Sequence, residues 1–233
     1  MRSGVVLPFD QTPNGLGSPQ LSALGDYNDD FALYTALRNK KAAELGTAQN
    51  YVVSWPYNPA VIDSASVVGL TDQRLVMVPQ IVRAGAILDG VAWIQQTVGN
   101  YTANNTNGIA CYSFDGANFT RLAQGIAAQT WGTGASTGYN IQAFNVAVPA
   151  IAADRILWAC ALWCRSAVVQ APILGASLSA TGGGIGACSP GLGTYSFEVD
   201  VAGSTNFPAT IAAASVTAGD TNRHWLAFYH NSV

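Results

Sequence analysis

The sequence predicts a mainly β protein: an antiparallel β-sandwich of jelly-roll or Greek-key type, preceded by an extended arm and one helix. Three observations carry that expectation. From residue 51 onward apolar side chains recur with period two in short runs. Gly, Pro and Asn punctuate those runs, and only residues 28–46 show helical spacing. The 233 residues suffice for one sizeable core, and the change of pattern divides them into 1–48 and 49–233.

Residues 1–27 are rich in Gly, Pro, Asn and Ser without a sustained period and read as an extended arm. Asn28, Asp29 and Asp30 then supply a cap and first-turn acids, which favour a helix start. Phe31, Leu33, Tyr34, Leu37 and Leu45 form an apolar stripe, Arg38, Lys40 and Lys41 lie toward the C-terminal half, and Gly46 is a natural stop. Strands are expected near Tyr51 to Trp55, Arg74 to Val78, Ile87 to Gln95 and Gly108 to Phe114. The series continues near Phe119 to Gln124, Ile141 to Val148, Arg155 to Cys164, Tyr195 to Val201 and His224 to His230. The clearest local signal is the hairpin over Ile109 to Leu122, whose turn is Asp115-Gly116-Ala117-Asn118. Connections range from this tight turn to long loops, which suits a jelly roll better than a propeller, and no repeat of fixed period occurs.

Charge is scarce. Charged residues make up 10% of the chain, against roughly 25% in ordinary soluble domains. Lys40 and Lys41 are its only lysines. From residue 49 on there are six Arg and eight acids. Soluble monomers use surface charge against association and guard sheet edges with Lys, so this scarcity, with a mean hydropathy of +0.22, predicts that other subunits cover much of the surface. A net charge of -3 offers no field for phosphates, which argues against nucleic-acid partners and anionic membranes. The most apolar run, Ile156 to Cys164, falls well short of the roughly 20 residues that span a bilayer, and the opening residues lack a signal-peptide core. Synthesis in the cytoplasm without membrane insertion is the expectation.

The motifs that could carry chemistry fail on context. Gly134-Ala135-Ser136-Thr137-Gly138 matches a nucleophile elbow, but that elbow needs a strand before and a helix after, and here an alternating strand follows. His224 and His230, the two histidines, read as strand-flanking residues rather than general bases. Glu198 and Asp200 share one strand face and could hold a cation or act as a glycosidase pair, with a solvated face as the simpler reading. Gly182 to Ala187 lacks the strand and helix of a dinucleotide fingerprint. Cys111, Cys160, Cys164 and Cys188 include no Cys-x-x-Cys pair, so zinc is not expected. The sequence therefore predicts no catalytic residue, no metal and no cofactor. Sequons begin at Asn100, Asn104 and Asn118 and read as incidental without a signal peptide.

Aromatic residues offer the remaining route to function. Trp93, Trp158, Trp163 and Trp225 fall in strand patterns and read as core. Trp131, within Gln129 to Tyr139, and Tyr101, which opens the stretch to Gly108, are flanked by small polar residues. Aromatic rings beside Asn and Thr suit recognition of sugars or proteins. The receptor-binding candidates are accordingly Tyr101, Asn104, Asn105, Trp131 and Tyr139, and Phe31, Tyr34, Leu37 and Arg38 are candidates for attachment to a larger particle.

At Cys111 to Ala123, following Leu88-Asp-Gly-Val-Ala-Trp93 and followed by Ile156-Leu-Trp-Ala-Cys-Ala-Leu-Trp163, the chain resembles β-sandwich modules of bacteriophage tail fibres, head fibres and related virion appendages. The resemblance covers residues 70–230 and rests on no invariant motif. It implies a non-enzymatic virion protein, a homotrimer with an N-terminal anchor in residues 1–48. Its implied partners are other virion proteins and a host surface glycan or protein. A capsid-decorating or minor capsid protein is the alternative, and a carbohydrate-active enzyme a more distant one.

Overall fold

A computed structural model describes residues 49–54, 67–104, 106–178, 197–201, 206–218 and 222–232. The described residues are mainly β, and every strand pairing among them is antiparallel. The first sheet runs β1 (Gln49–Ser54), β16 (Leu226–Ser232), β4 (Leu88–Thr97), β11 (Ile173–Leu178), β15 (Asn222–His224). Within it β2 (Val67–Gly69) pairs with β11, and β8 (Gly138–Val148) with β4. The second sheet runs β13 (Thr210–Ala212), β7 (Asn118–Ile126), β6 (Gly108–Phe114), β9 (Arg155–Trp163), β3 (Arg74–Val82), β12 (Phe197–Asp200), β14 (Thr217–Ala218). A separate ribbon joins β5 (Asn100–Ala103) to β10 (Arg165–Gln170). The arm and helix expected over 1–48, with Phe31, Tyr34, Leu37 and Arg38, lie outside the described residues.

Alternation places one side-chain set from each large sheet in a common cluster. Val91 and Trp93 of β4 and Leu226 and Phe228 of β16 meet Val76 and Val78 of β3, Ile109 of β6 and Leu157 of β9. The centre of the second sheet is buried on both faces. Leu75, Met77, Ala110, Tyr112, Trp158, Cys160 and Leu162 form a second cluster with Val199, Phe207, Ile211 and Val216. This explains the nine-residue apolar run at 156–164: in β9 both alternating sets are core, so the run has no polar half. Burying Trp158 on the second face requires that cover, which Tyr112 helps to fix by donating from its hydroxyl to Pro208 O at 2.7 Å. Arg121 adds a guanidinium bond to Phe207 O.

Most expected strands are present, several with extended ends. β3 continues past Pro79 to Val82. Pro79 lies beyond Arg74 to Met77, the residues of β3 that β12 pairs with, and pairs with Trp158 of β9. The expected strand from His224 to His230 is interrupted at Trp225, whose N–H donates to Gly175 O. The sequence reading gave no strand at β2, β5, β10, β11, β13 or β14.

The hairpin turn forms as its residues dictate. Asp115 Oδ1 accepts from the N–H groups of Ala117 and Asn118 at 2.8 and 2.7 Å, and Gly116 takes the required positive φ of 103°. These backbone donors, Asn118 first, hold the Asp115 carboxyl below the usual Asp range. Stabilisation from a depressed carboxyl is complete above the unfolded pKa of about 3.9 and is lost as pH falls through the lower folded value. Titration followed by NMR should therefore place Asp115 below an ordinary Asp, and Asp115→Ala should flatten the acid limb of stability. An Asp115 that titrates normally would contradict the turn geometry.

Candidate functional site

Two of the residues expected to face a receptor instead close the end of the core. Trp131 is fully buried, at 0% exposure. Its Nε1–H donates to Leu162 O at 2.8 Å, and its ring lies 4.8 Å from that of Trp93. Tyr101 lies on β5 rather than in a loop and is also buried. Its ring meets Trp163 edge-on at 5.6 Å, while its hydroxyl donates to Ala128 O and accepts from the Trp131 N–H. Burial pushes the Tyr101 phenol up to about 12, opposed in part by the Trp131 donor. An aromatic ring with a polar handle contributes most where the ring is packed and the handle is paired, and the loop supplies both conditions.

The loop from Ala127 to Thr137 is held from inside. Thr130, Gly132 and Gly134 donate backbone N–H groups within it, to Ala127 O, Gln129 O and Gln129 O. Gln95, 1% exposed, ties it to the first sheet. Its Nε2 donates to Trp131 O at 2.8 Å, and its Oε1 accepts from Trp93 Nε1 at 2.9 Å. Gly99 sits under the loop with its N–H on Trp131 O, and a Cβ there would come within 2.9 Å of both that oxygen and the Tyr101 ring. Asn107 does similar work on the neighbouring stretch. Its amide bonds both the N–H and the C=O of Cys164, replacing a piece of ladder with a side chain.

Of the other candidates, Asn104 is exposed while its backbone N–H donates to Cys164 O, and Asn105 lies outside the described residues. Tyr139 is 51% exposed at the start of β8, its ring 6.4 Å from Trp225. The turn before it is fixed by Asn140, whose Oδ1 accepts from Ser136 N and whose Nδ2 donates to Ser136 O and Gly138 O. The structure thus joins Tyr101 and Trp131 into one internal network and leaves Asn104 and Tyr139 as outward-facing residues.

The chemical alternatives meet specific partners. Ser136 Oγ lies 3.5 Å from Asn140 Oδ1, a carboxamide oxygen that is not a general base, and a strand follows the turn. Glu198 is buried against Arg74 at 2.9 Å, so its charge is matched by a guanidinium rather than by a second carboxylate. Asp89 Oδ2 lies 2.5 Å from His230 Nδ1 and also accepts from Asn231 N, tying β4 to the end of β16. Cys111, Cys160 and Cys164 are buried free thiols, all pushed up by burial, Cys164 to about 11. Among the described residues no group of three or more His, Cys, Asp or Glu could hold a metal ion, and no helix is long and apolar enough to cross a membrane. Cys188 and Gly182 to Ala187 lie outside the described residues.

What misled the sequence reading at Trp131 was its company of Gln, Thr and Gly. The informative signal was the glycines: Gly99 and Gly132 flank positions where backbone passes close to a ring or an amide. Gln95 and Asn107 sit among apolar or Asn-rich neighbours, and nothing in their spacing marked them. Neither a known family model nor a curated protein matches this chain, so its reading rests on its own residues.

Proposed function

We propose that this protein is a non-enzymatic structural module of a bacteriophage virion appendage, of fibre type, which takes part in contact with the host surface. In this reading its two sheets form a sandwich of jelly-roll or Greek-key kind, three copies associate, and residues 1–48 attach the module to other virion proteins. The observation that carries it is a β body sparse in charge, whose loop over residues 127–137 is tied onto the core by Trp131, Gln95 and Tyr101. Such a body suits presentation of a fixed surface rather than turnover. The pairing of Glu198 with Arg74 and of Ser136 with Asn140 supports a module without catalysis.

With Trp131 and Tyr101 inside, contact falls to Tyr139 and Asn104, which are exposed. Exposed Tyr offers large area at low entropic cost. Particles carrying Tyr139→Ala with Asn104→Ala should adsorb to host cells at least about tenfold less, the effect of losing roughly 1.4 kcal/mol or more, with melting of the protein unchanged. Full adsorption by the double variant would remove these residues from the contact surface. A particle that assembles and infects normally without the chain would remove the appendage reading itself.

A further inference from the structure

The outer face of the first sheet is apolar, and its middle is shut off from water. Ala92 of β4, Ala227 and Tyr229 of β16 and the adjoining Trp225 form a third cluster, with Val52 of β1 and Ile94 of β4 packed against it. None of them belongs to the set that faces the second sheet, and no described residue of another layer joins them. Yet Ala92 and Ala227 are 0% exposed, Trp225 2% and Tyr229 3%. Indole and phenol rings on a bare sheet face keep one side in water, so burial this complete needs a further layer. The second sheet has such a layer in Phe207, Ile211 and Val216, which share a cluster with Trp158. The cover on the first sheet has an edge. β8 continues the same face beyond β4, with Ile141 opposite Ala92 and Tyr139 opposite Ile94, and there Ile141 is 37% and Tyr139 51% exposed.

We propose that residues 28–46 supply this layer, as an amphipathic helix that lays Phe31, Tyr34 and Leu37 over Trp225, Ala227 and Tyr229. The chain outside the described residues, and the points where it joins them, select this occupant. Residues 1–48 are tied to the described fold at one point, Gln49, which opens β1 beside β16 on the edge of this sheet. Residues 55–66 set out from Ser54, whose hydroxyl donates to Ile81 O of β3 at 2.6 Å, and so start beside the second sheet. Residues 179–196 must reach Phe197, which pairs with Met77 in the second sheet. Every other stretch outside the described residues has four residues or fewer.

Dimensions agree with one helix. A helix is about 10 Å across, the width of two strands about 4.8 Å apart, so it covers β16 and β4 and leaves β8 open. Residues 28–46 extend about 28 Å as a helix, against about 24 Å for the seven residues of β16. Thr47 and Ala48 then make a connection to β1 of ordinary length. The inference goes beyond the virion reading and does not depend on it. It withdraws Phe31, Tyr34 and Leu37 from attachment to another protein and leaves residues 1–27 for that role.

Lys40 and Lys41 are the only lysines, so an amine-reactive photo-cross-linker placed on them reports where residues 28–46 lie. On the unaltered full chain, in products of single-chain mass, capture is expected in peptides that hold Ala92 to Ile94, Tyr139 to Ile141 or Trp225 to Asn231. Capture only elsewhere, or none, overturns the inference. Hydroxyl-radical footprinting reads the face itself: Trp225 and Tyr229 should be protected while Tyr139 reacts, and a reactive Trp225 and Tyr229 in the unaltered chain overturn the cover. In the double variant Phe31→Glu with Leu37→Glu, Tyr229 should lose its protection and react as Tyr139 does, with Trp225 following and Trp131 still protected. Ala43→Glu should change neither, because Ala43 lies about two and a half helical turns past Tyr34 and so on the opposite side. A folded double variant that keeps Trp225 and Tyr229 protected assigns the cover to residues 55–66 or 179–196 and overturns the inference. If the double variant exposes Trp131 as well, it has unfolded, and the cross-link on the unaltered chain decides.

Discussion

Trp131→Ala is expected to destabilise the folded protein by about 3 to 5 kcal/mol, the range for truncating a buried Trp or Phe. The ring is fully buried and packs on Trp93, so its loss leaves a cavity at the end of the shared core. Leu162 O loses its indole donor at the same time. Losing that hydrogen bond adds about 0.5 to 1.5 kcal/mol. Trp131→Phe helps to separate the two contributions, since it keeps an aromatic ring and most of the volume while removing the N–H donor. Urea unfolding should place the alanine variant well below the phenylalanine variant and both below the parent. Any loss of host contact in Trp131→Ala should track its unfolded fraction and be restored by conditions that refold it. An alanine variant as stable as the parent, with adsorption lost, would return Trp131 to the surface.

The contrast between Trp131 and the hairpin at Asp115 shows what a sequence of this kind makes legible. At Asp115 to Asn118 the determinants are local: a carboxylate that reaches two N–H groups within three residues and a glycine at a positive φ. Local determinants are written side by side in the chain, and the turn was readable. At Trp131 they come from Trp93, Gln95, Gly99, Tyr101 and Leu162, distant in sequence and gathered only by folding. The same distinction separates the strands. β6 and β9 were legible because alternation or a sustained apolar run marks them. β5 and β10 were not, because the four residues of β5 are too few to show a period and β10, with Val168 and Val169 adjacent and nearly all of its residues exposed, does not alternate. Glu198 and Asp200 illustrate the limit for sites. Their shared face followed from period two, but the guanidinium that answers Glu198 lies 124 residues away.

Gly125→Ala is the second large effect expected, and it tests the contact between β7 and β8. A Cβ at Gly125 would overlap the carbonyl oxygen of Ala143 and come within 3.1 Å of the Ala143 carbonyl carbon and of Ile109 Cδ1. Two of these three are backbone, so no side-chain rotation relieves the overlap and β8 must move away from β7. Gly108 tightens the constraint from the other side, because its own missing Cβ lets Gly125 O approach. The overpacking is expected to cost about 1 to 3 kcal/mol or more, or a few degrees of melting temperature per kcal/mol in a chain of this size. Gly116→Ala is the control: it meets nothing within 4 Å and carries only the strain of a positive φ, about 1 to 2 kcal/mol. Location distinguishes the two. Gly125→Ala should speed amide hydrogen exchange along Tyr139 to Val148 and leave β3 and β9 protected, whereas Gly116→Ala should loosen only the hairpin tip. If Gly125→Ala melts like the parent with β8 still protected, β7 and β8 do not meet closely at Gly125 and Ala143.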